Sequence, residues 1–209
     1  STSKNWAIWA HECLEDFKGQ QDVLRYVLCA TAPESKDTDF TWADFLSRNN
    51  NELVAIFGNF INRVLVLTHK YWNGIVPSCN ELYDYDKEII NKLNNTSIVM
   101  GEAIESFKFR EALKELMNLA RLGNKYLADT EPWKLQNTNK DRVETIMHIS
   151  IQIAGSLSIL CKPFMPFTSA KLNNILNLSK EKWKDAGMNT IPNKHQINKG
   201  MHLFEKIED

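Results

Sequence analysis

The chain has 209 residues, 43% of them hydrophobic and 24% charged, which suits a soluble globular protein of one domain, or one domain with a small appendage. A formal net charge of −1 excludes a protein that grips nucleic acid by bulk charge, so any such binding needs a local basic patch. Only 8 Gly and 6 Pro favour long uninterrupted elements over a turn-rich sheet.

In chain order, the first 47 residues stand apart, with Trp6, Ile8 and Trp9 near Leu14 and Phe17. An amphipathic stretch then runs from Asp22 to Ala32 and stops at Pro33. Acids gather around Asp37-Thr38-Asp39-Phe40, and the whole region reads as a linker module packed against something else. Leu53, Ile56, Phe57, Phe60, Ile61, Val64 and Leu65 recur at the i, i+3, i+4 spacing of one buried helical stripe. Asn73-Gly74-Ile75-Val76-Pro77-Ser78 is a turn signal between antiparallel helices. A second helix is predicted over about 86–107, with Asp86 as its N-cap and Asn94-Asn95-Thr96 loosening its middle. A third covers about 109–127. A fourth, 143–160, is apolar on most sides and is therefore expected at the centre of the bundle. Lys162-Pro163 and Met165-Pro166 break the chain before a helix over 168–176. The stretch 188–200 reads as an irregular connection, and 201–207 as a terminal segment, short helix or extended, that docks on the bundle.

Several chemistries are missing. There is no phosphate-binding glycine loop, no HExxH and no GxSxG. The four cysteines (Cys13, Cys29, Cys79 and Cys161) are too scattered for a zinc knuckle and fit thiols in a reducing cytosol. No uninterrupted apolar run reaches the roughly 18 residues of a membrane span, and no secretory leader opens the sequence. The five histidines are dispersed, and His148 within the apolar fourth helix reads as a satisfied core residue. Asp84 and Asp86 read as residues of a helix start rather than a catalytic pair.

The informative positions are polar residues on apolar helices. Asn59 and Arg63 lie one turn apart, off the apolar stripe. Asn can pair with a base edge, and Arg can bond phosphate or stack on a base; a solvated helix face is the plain alternative. Asp129-Thr130-Glu131-Pro132-Trp133-Lys134 directly follows the third helix. Pro132 fixes its own φ and biases Glu131 towards extended geometry, so the chain turns sharply. Trp133 at that corner is suited to stacking under an unpaired base, or to anchoring the next helix. Between Lys108 and Arg142 eight basic residues face five acids, a local excess of +3.

Asn124 to Lys134 (NKYLADTEPWK) resembles the methionyl-tRNA synthetase segment that ends in an anticodon-stacking Pro-Trp. The Asn59–Arg63 pair falls where that family places its anticodon-reading Asn and Arg. Further similarity lies in Leu160–Phe167 (LCKPFMPF), Asn5–Glu12 (NWAIWAHE) and Asp22–Tyr26 (DVLRY), so that ordered blocks cover essentially the whole chain. The resemblance implies an all-α fold: an antiparallel helix bundle over 48–209, preceded by a stem-contact connecting module over 1–47. It implies that Trp133 stacks on the first base of the anticodon CAU, that Asn59 and Arg63 contact anticodon nucleotides, and that Pro132 shapes the corner. Ser1-Thr2-Ser3 is similar to the last three residues of the family's Lys-Met-Ser-Lys-Ser adenylation loop, with Thr2 in place of its second lysine.

On this reading the chain is a piece of a cytoplasmic ligase that joins methionine to its tRNA. The expected partners are the anticodon stem-loop of the methionine tRNA and an upstream catalytic domain, with neither DNA nor membrane. The piece itself is expected to be inactive and free of cofactors. The full-length ligase is expected to use ATP and Mg²⁺, with zinc possible in its remaining part. Two alternatives stand beside this: the anticodon domain of a sister synthetase for isoleucine, valine, leucine or cysteine, and a helical protein-interaction scaffold with no RNA ligand.

Overall fold

The computed structural model describes residues 11, 15, 18–34, 37–179, 181–200 and 202–208. The Ser1-Thr2-Ser3 sequence, the aromatics Trp6 and Trp9, and Cys13 lie outside the described residues. Among those described, the architecture is all-helical. In order come α1 (Gln21–Ala30), α2 (Trp42–Arg48), a π-helical segment (Asn49–Gly58), α3 (Asn59–Trp72), α4 (Asp84–Glu105), α5 (Phe109–Thr130), α6 (Pro132–Leu135), α7 (Lys140–Leu160) and α8 (Pro166–Leu176). A short 3-10 turn follows at Trp183–Asp185.

The bundle is organised by α7. From Val143 onward nearly every residue is buried, as its all-round apolar character requires. By length and composition α7 could cross a membrane, but 94% of its most apolar window is covered by the rest of the protein. Its polar side chains collect the loops around it. Thr145 Oγ1 accepts from the Asn80 N–H at 3.0 Å, and Ser156 Oγ accepts from the Gly187 N–H at 2.8 Å. Gln152 forms a two-point clamp on Ile191, accepting from its N–H at 2.9 Å and donating to its carbonyl at 2.6 Å. The 188–200 connection is therefore ordered by buried polar residues. It also pairs with the 73–77 turn through an isolated antiparallel bridge between Ile75 and Gln196.

His148 is a satisfied core histidine. Its Nδ1 lies 2.9 Å from the Pro77 carbonyl and its Nε2 lies 3.1 Å from the Gln152 amide nitrogen, which fits a neutral ring that donates from Nδ1 and accepts at Nε2. Burial lowers its pKa below the ordinary 6.5, against a smaller opposing contribution from the Pro77 carbonyl. The unfolded chain therefore takes up this proton first, and folding stability declines as pH falls below 6.5. Thermal unfolding at about pH 7.5 and about pH 5.5 should show this loss, and His148→Asn should reduce it. An identical pH response in the variant would remove His148 from the account.

Two blocks that carry the resemblance meet in space. Asp22 Oδ2, on α1, accepts from the Thr168 N–H in the first turn of α8. Arg25 donates to the Phe164 carbonyl at 3.1 Å and the Pro163 carbonyl at 3.0 Å, satisfying the broken backbone between α7 and α8. The terminal segment 202–208 is not helical, and it docks with Phe204 edge-on to Phe57 at 6.0 Å. Asn50 clamps it by donating to the Ile207 carbonyl at 2.9 Å and accepting from the Ile207 N–H at 3.0 Å.

Candidate nucleic-acid interface

The stripe from Leu53 to Leu65 is buried as expected, apart from half-buried Ile56, but its first half is π-helical rather than α-helical. The backbone stays right-handed throughout, at Arg48, Gly58 and Asn59 alike, so α2, the π segment and α3 form one continuous rod. A π register changes carbonyl bonding, and π segments occur frequently at functional sites. Here the Ile56 carbonyl accepts from Asn124 Nδ2 at 2.9 Å, and that amide also reaches the Ala120 carbonyl at 3.2 Å. Asn124 Oδ1, thus oriented, accepts from Asn59 Nδ2 at 3.3 Å. Asn59 is the first residue of α3 and is exposed. Asn124 was missing from the residues singled out by sequence, although it opens the block that carries the resemblance.

Close approach of α3 to α5 makes this contact possible. A Cβ at Gly123 would overlap the buried Phe60 ring, so only glycine lets the two helices meet at this depth. One turn beyond Asn59, the Arg63 guanidinium lies over the Trp133 ring, with Cζ 5.3 Å from the ring centroid. Trp133 is 39% exposed, whereas Pro132 beside it is buried. Of the four residues predicted from sequence, Arg63 and Trp133 touch each other, Asn59 on the same face of α3 contacts Asn124 of α5, and Pro132 is buried beside Trp133.

The corner itself differs from expectation. Glu131 is in the left-handed region (φ 41°, ψ 56°) rather than extended. It ends α5 and immediately precedes Pro132, the first residue of α6, so the turn needs a left-handed residue at a position where proline disfavours helical geometry. Local bonds compensate. Thr130 Oγ1 donates to the Tyr126 carbonyl at 2.6 Å, and the Lys134 N–H donates to the Glu131 carbonyl at 2.8 Å.

Beneath the corner lies Asp86. It is the third residue of α4, where its Oδ2 accepts from the Tyr83 N–H at 2.8 Å; Tyr83, not Asp86, is the N-cap. The same carboxylate accepts from Tyr126 Oη at 2.6 Å and receives both terminal nitrogens of Arg142, which also lies over the Tyr83 ring at 4.3 Å. Burial alone would raise the Asp86 pKa, but the hydrogen bonds from Arg142, Tyr126 and Tyr83 outweigh it and hold the carboxyl below its ordinary 3.8. This one side chain joins the start of α4 to the end of α5 and the start of α7. Asp84, by contrast, is fully exposed and pairs with Lys87. The 94–96 stretch does not interrupt α4.

The local charge excess is partly neutralised in place. Lys125 pairs with Asp129 at 2.6 Å, Lys134 with Glu131 at 2.9 Å, and Arg142 with Asp86. Arg63 has no ion-pair partner among the described residues. Among the same residues, no three of His, Cys, Asp or Glu cluster as a metal site would need. An exposed indole beside an unpaired guanidinium and an oriented amide can stack an unpaired base and bond its edge or phosphate.

Fold and corner together define a helical module with a partly exposed indole at the junction of α5 and α6. Residues 76–209 match the family described as the anticodon binding domain of methionyl tRNA ligase, and residues 1–65 match the class I tRNA synthetases for methionine. The chain belongs to the methionyl-tRNA ligase family. It is 58% identical over 210 residues to the methionine–tRNA ligase of Phocaeicola vulgatus and 59% identical over 217 residues to that of Christiangramia forsetii. In each case all of this chain is covered, but only 31% of the relative. The fold is that of the apo, free-state Mycobacterium tuberculosis methionyl-tRNA synthetase, with a TM-score of 0.84 at 19% identity. That match covers 91% of this chain and 39% of the other.

Proposed function

We propose that this chain reads the CAU anticodon of the methionine tRNA on behalf of a cytoplasmic ligase that joins methionine to that tRNA. Trp133 stacks on the first anticodon base, Arg63 supplies the neighbouring cation, Asn59 bonds a base edge, and Pro132 sets the corner. The observation that carries the reading is the partly exposed Trp133 with Arg63 over its ring, at the Pro132 corner. Asn124 acts as a positioning residue for Asn59. In this reading residues 1–47 connect to a catalytic domain and 48–209 form the anticodon module. ATP, Mg²⁺ and any zinc belong to other parts of the ligase, and Ser1-Thr2-Ser3 is the end of its adenylation loop.

The test is binding of the 209-residue chain to a hairpin RNA with a CAU loop and to the same hairpin with the first anticodon base changed. Preference for CAU is expected. Equal binding would defeat the methionine assignment, and no RNA binding at low salt would favour the protein-interaction scaffold.

A further inference from the structure

A groove of about 490 Å³ runs between α5 on one side and α1, α2 and the π segment on the other, away from the Trp133 corner. Its α5 wall carries Arg110, Lys114 and Arg121, all exposed. At about 100° per residue these positions fall within roughly 40° of one another around the helix, and Lys125 extends the same stripe. The stripe rises about 16 Å from Arg110 to Arg121 at about 1.5 Å per residue. Its far end lies one turn before Asn124, the residue that holds Asn59.

The charges in this groove are unevenly engaged. Glu52 accepts from Tyr26 Oη and pairs with Arg48, Glu111 pairs with Lys108 at 3.6 Å, and Glu115 accepts from Asn118 at 3.1 Å. The three side chains of the stripe enter no ion pair among the described residues, while the Arg110 backbone N–H donates to Glu34 Oε1 at 2.8 Å. Arg121 donates to the neutral Asn118 side chain at 3.2 Å. On a chain of net charge −1, three cations in line on one helix face, none in an ion pair, form a local cationic track suited to an anionic ligand.

We propose that Arg110, Lys114 and Arg121 bind backbone phosphates of the base-paired stem below the anticodon loop, so that α5 carries the stem along one face and the loop at its end. This rests on the anticodon reading of Trp133 and extends it from bases to backbone. Phosphate contacts set the register of an RNA without reading its sequence. The track thereby delivers the loop to the corner.

The test is the salt dependence of binding by the 209-residue chain and by its Arg110→Gln/Lys114→Gln/Arg121→Gln variant, glutamine being a good helix former. Two probes are used: the CAU hairpin with its stem, and the same loop nucleotides as a stemless strand. On the hairpin, the slope of log K against log salt should be shallower by roughly 2–3 in the variant, at about 0.7–0.9 per phosphate contact. The preference for CAU and the affinity for the stemless strand should be retained. A second variant, Arg110→Lys/Arg121→Lys, should keep the original slope. An unchanged slope in the glutamine variant, or an equal loss on the stemless strand, would overturn the track. A shallower slope with no CAU preference in the unmodified chain would instead defeat the corner and leave the track standing. No hairpin binding by the unmodified chain would overturn both.

Discussion

Replacing Asp86 by alanine lowers folding stability by about 3–5 kcal/mol, the usual cost of removing one partner from a buried ion pair. Asp86 is fully buried, and its carboxylate satisfies Arg142, Tyr126 and the Tyr83 N–H together. Alanine leaves Arg142 charged in a site that is itself largely buried, and leaves the Tyr126 hydroxyl without its acceptor. Asparagine keeps the shape but not the charge, and so recovers only part of the loss. The control is Asp84→Ala, two residues away on an exposed carboxylate, which should stay within about 0.5 kcal/mol of the parent. Urea unfolding of the three variants measures the differences. Equal losses at 84 and 86 would show that the buried network does not hold α4, α5 and α7 together.

Trp133→Ala weakens binding of the CAU hairpin by about 1–3 kcal/mol, the worth of one base–aromatic stack. The indole is partly exposed and sits on α6, whose packing is anchored by the buried Pro132 and by the bonds around Glu131, so the fold should tolerate its loss. The variant also removes the ring over which Arg63 lies, and Arg63 then loses its fixed position. Phenylalanine at 133 keeps a π face and should retain much of the affinity. Binding isotherms checked against an unchanged far-UV dichroism spectrum separate a lost stack from a lost fold. A variant that folds and binds like the parent would remove Trp133 from the site.

Much of this architecture was legible because hydrophobic burial writes itself into periodicity. The all-round apolar sequence of α7 demanded a central position, and the pattern over Leu53–Leu65 demanded a buried stripe. That stripe could not reveal its π register, since a pattern of apolar residues constrains which side is buried more tightly than which carbonyl each N–H meets. The corner failed in a different way. Proline's local bias predicted an extended Glu131, but the end of α5 needs a left-handed residue, and tertiary packing of Pro132 fixes it there. Asp86 was legible as a helix-start residue but not as a buried hub, because its partners Tyr126 and Arg142 lie 40 and 56 positions away. Asn124 escaped notice for the same reason: its role is set by a carbonyl 68 positions earlier in the chain. Of the charge excess over 108–142, the sequence shows the sum but not which cations are already paired.

The most direct measurement of the central claim is a double-mutant cycle between Trp133→Ala and a CAU hairpin whose first anticodon base is replaced by an abasic site. If Trp133 stacks on that base, each change alone weakens binding and the two together cost little more than one, giving a coupling of about 1–3 kcal/mol. Additive effects, with coupling near zero, would mean that the indole and the first anticodon base do not meet.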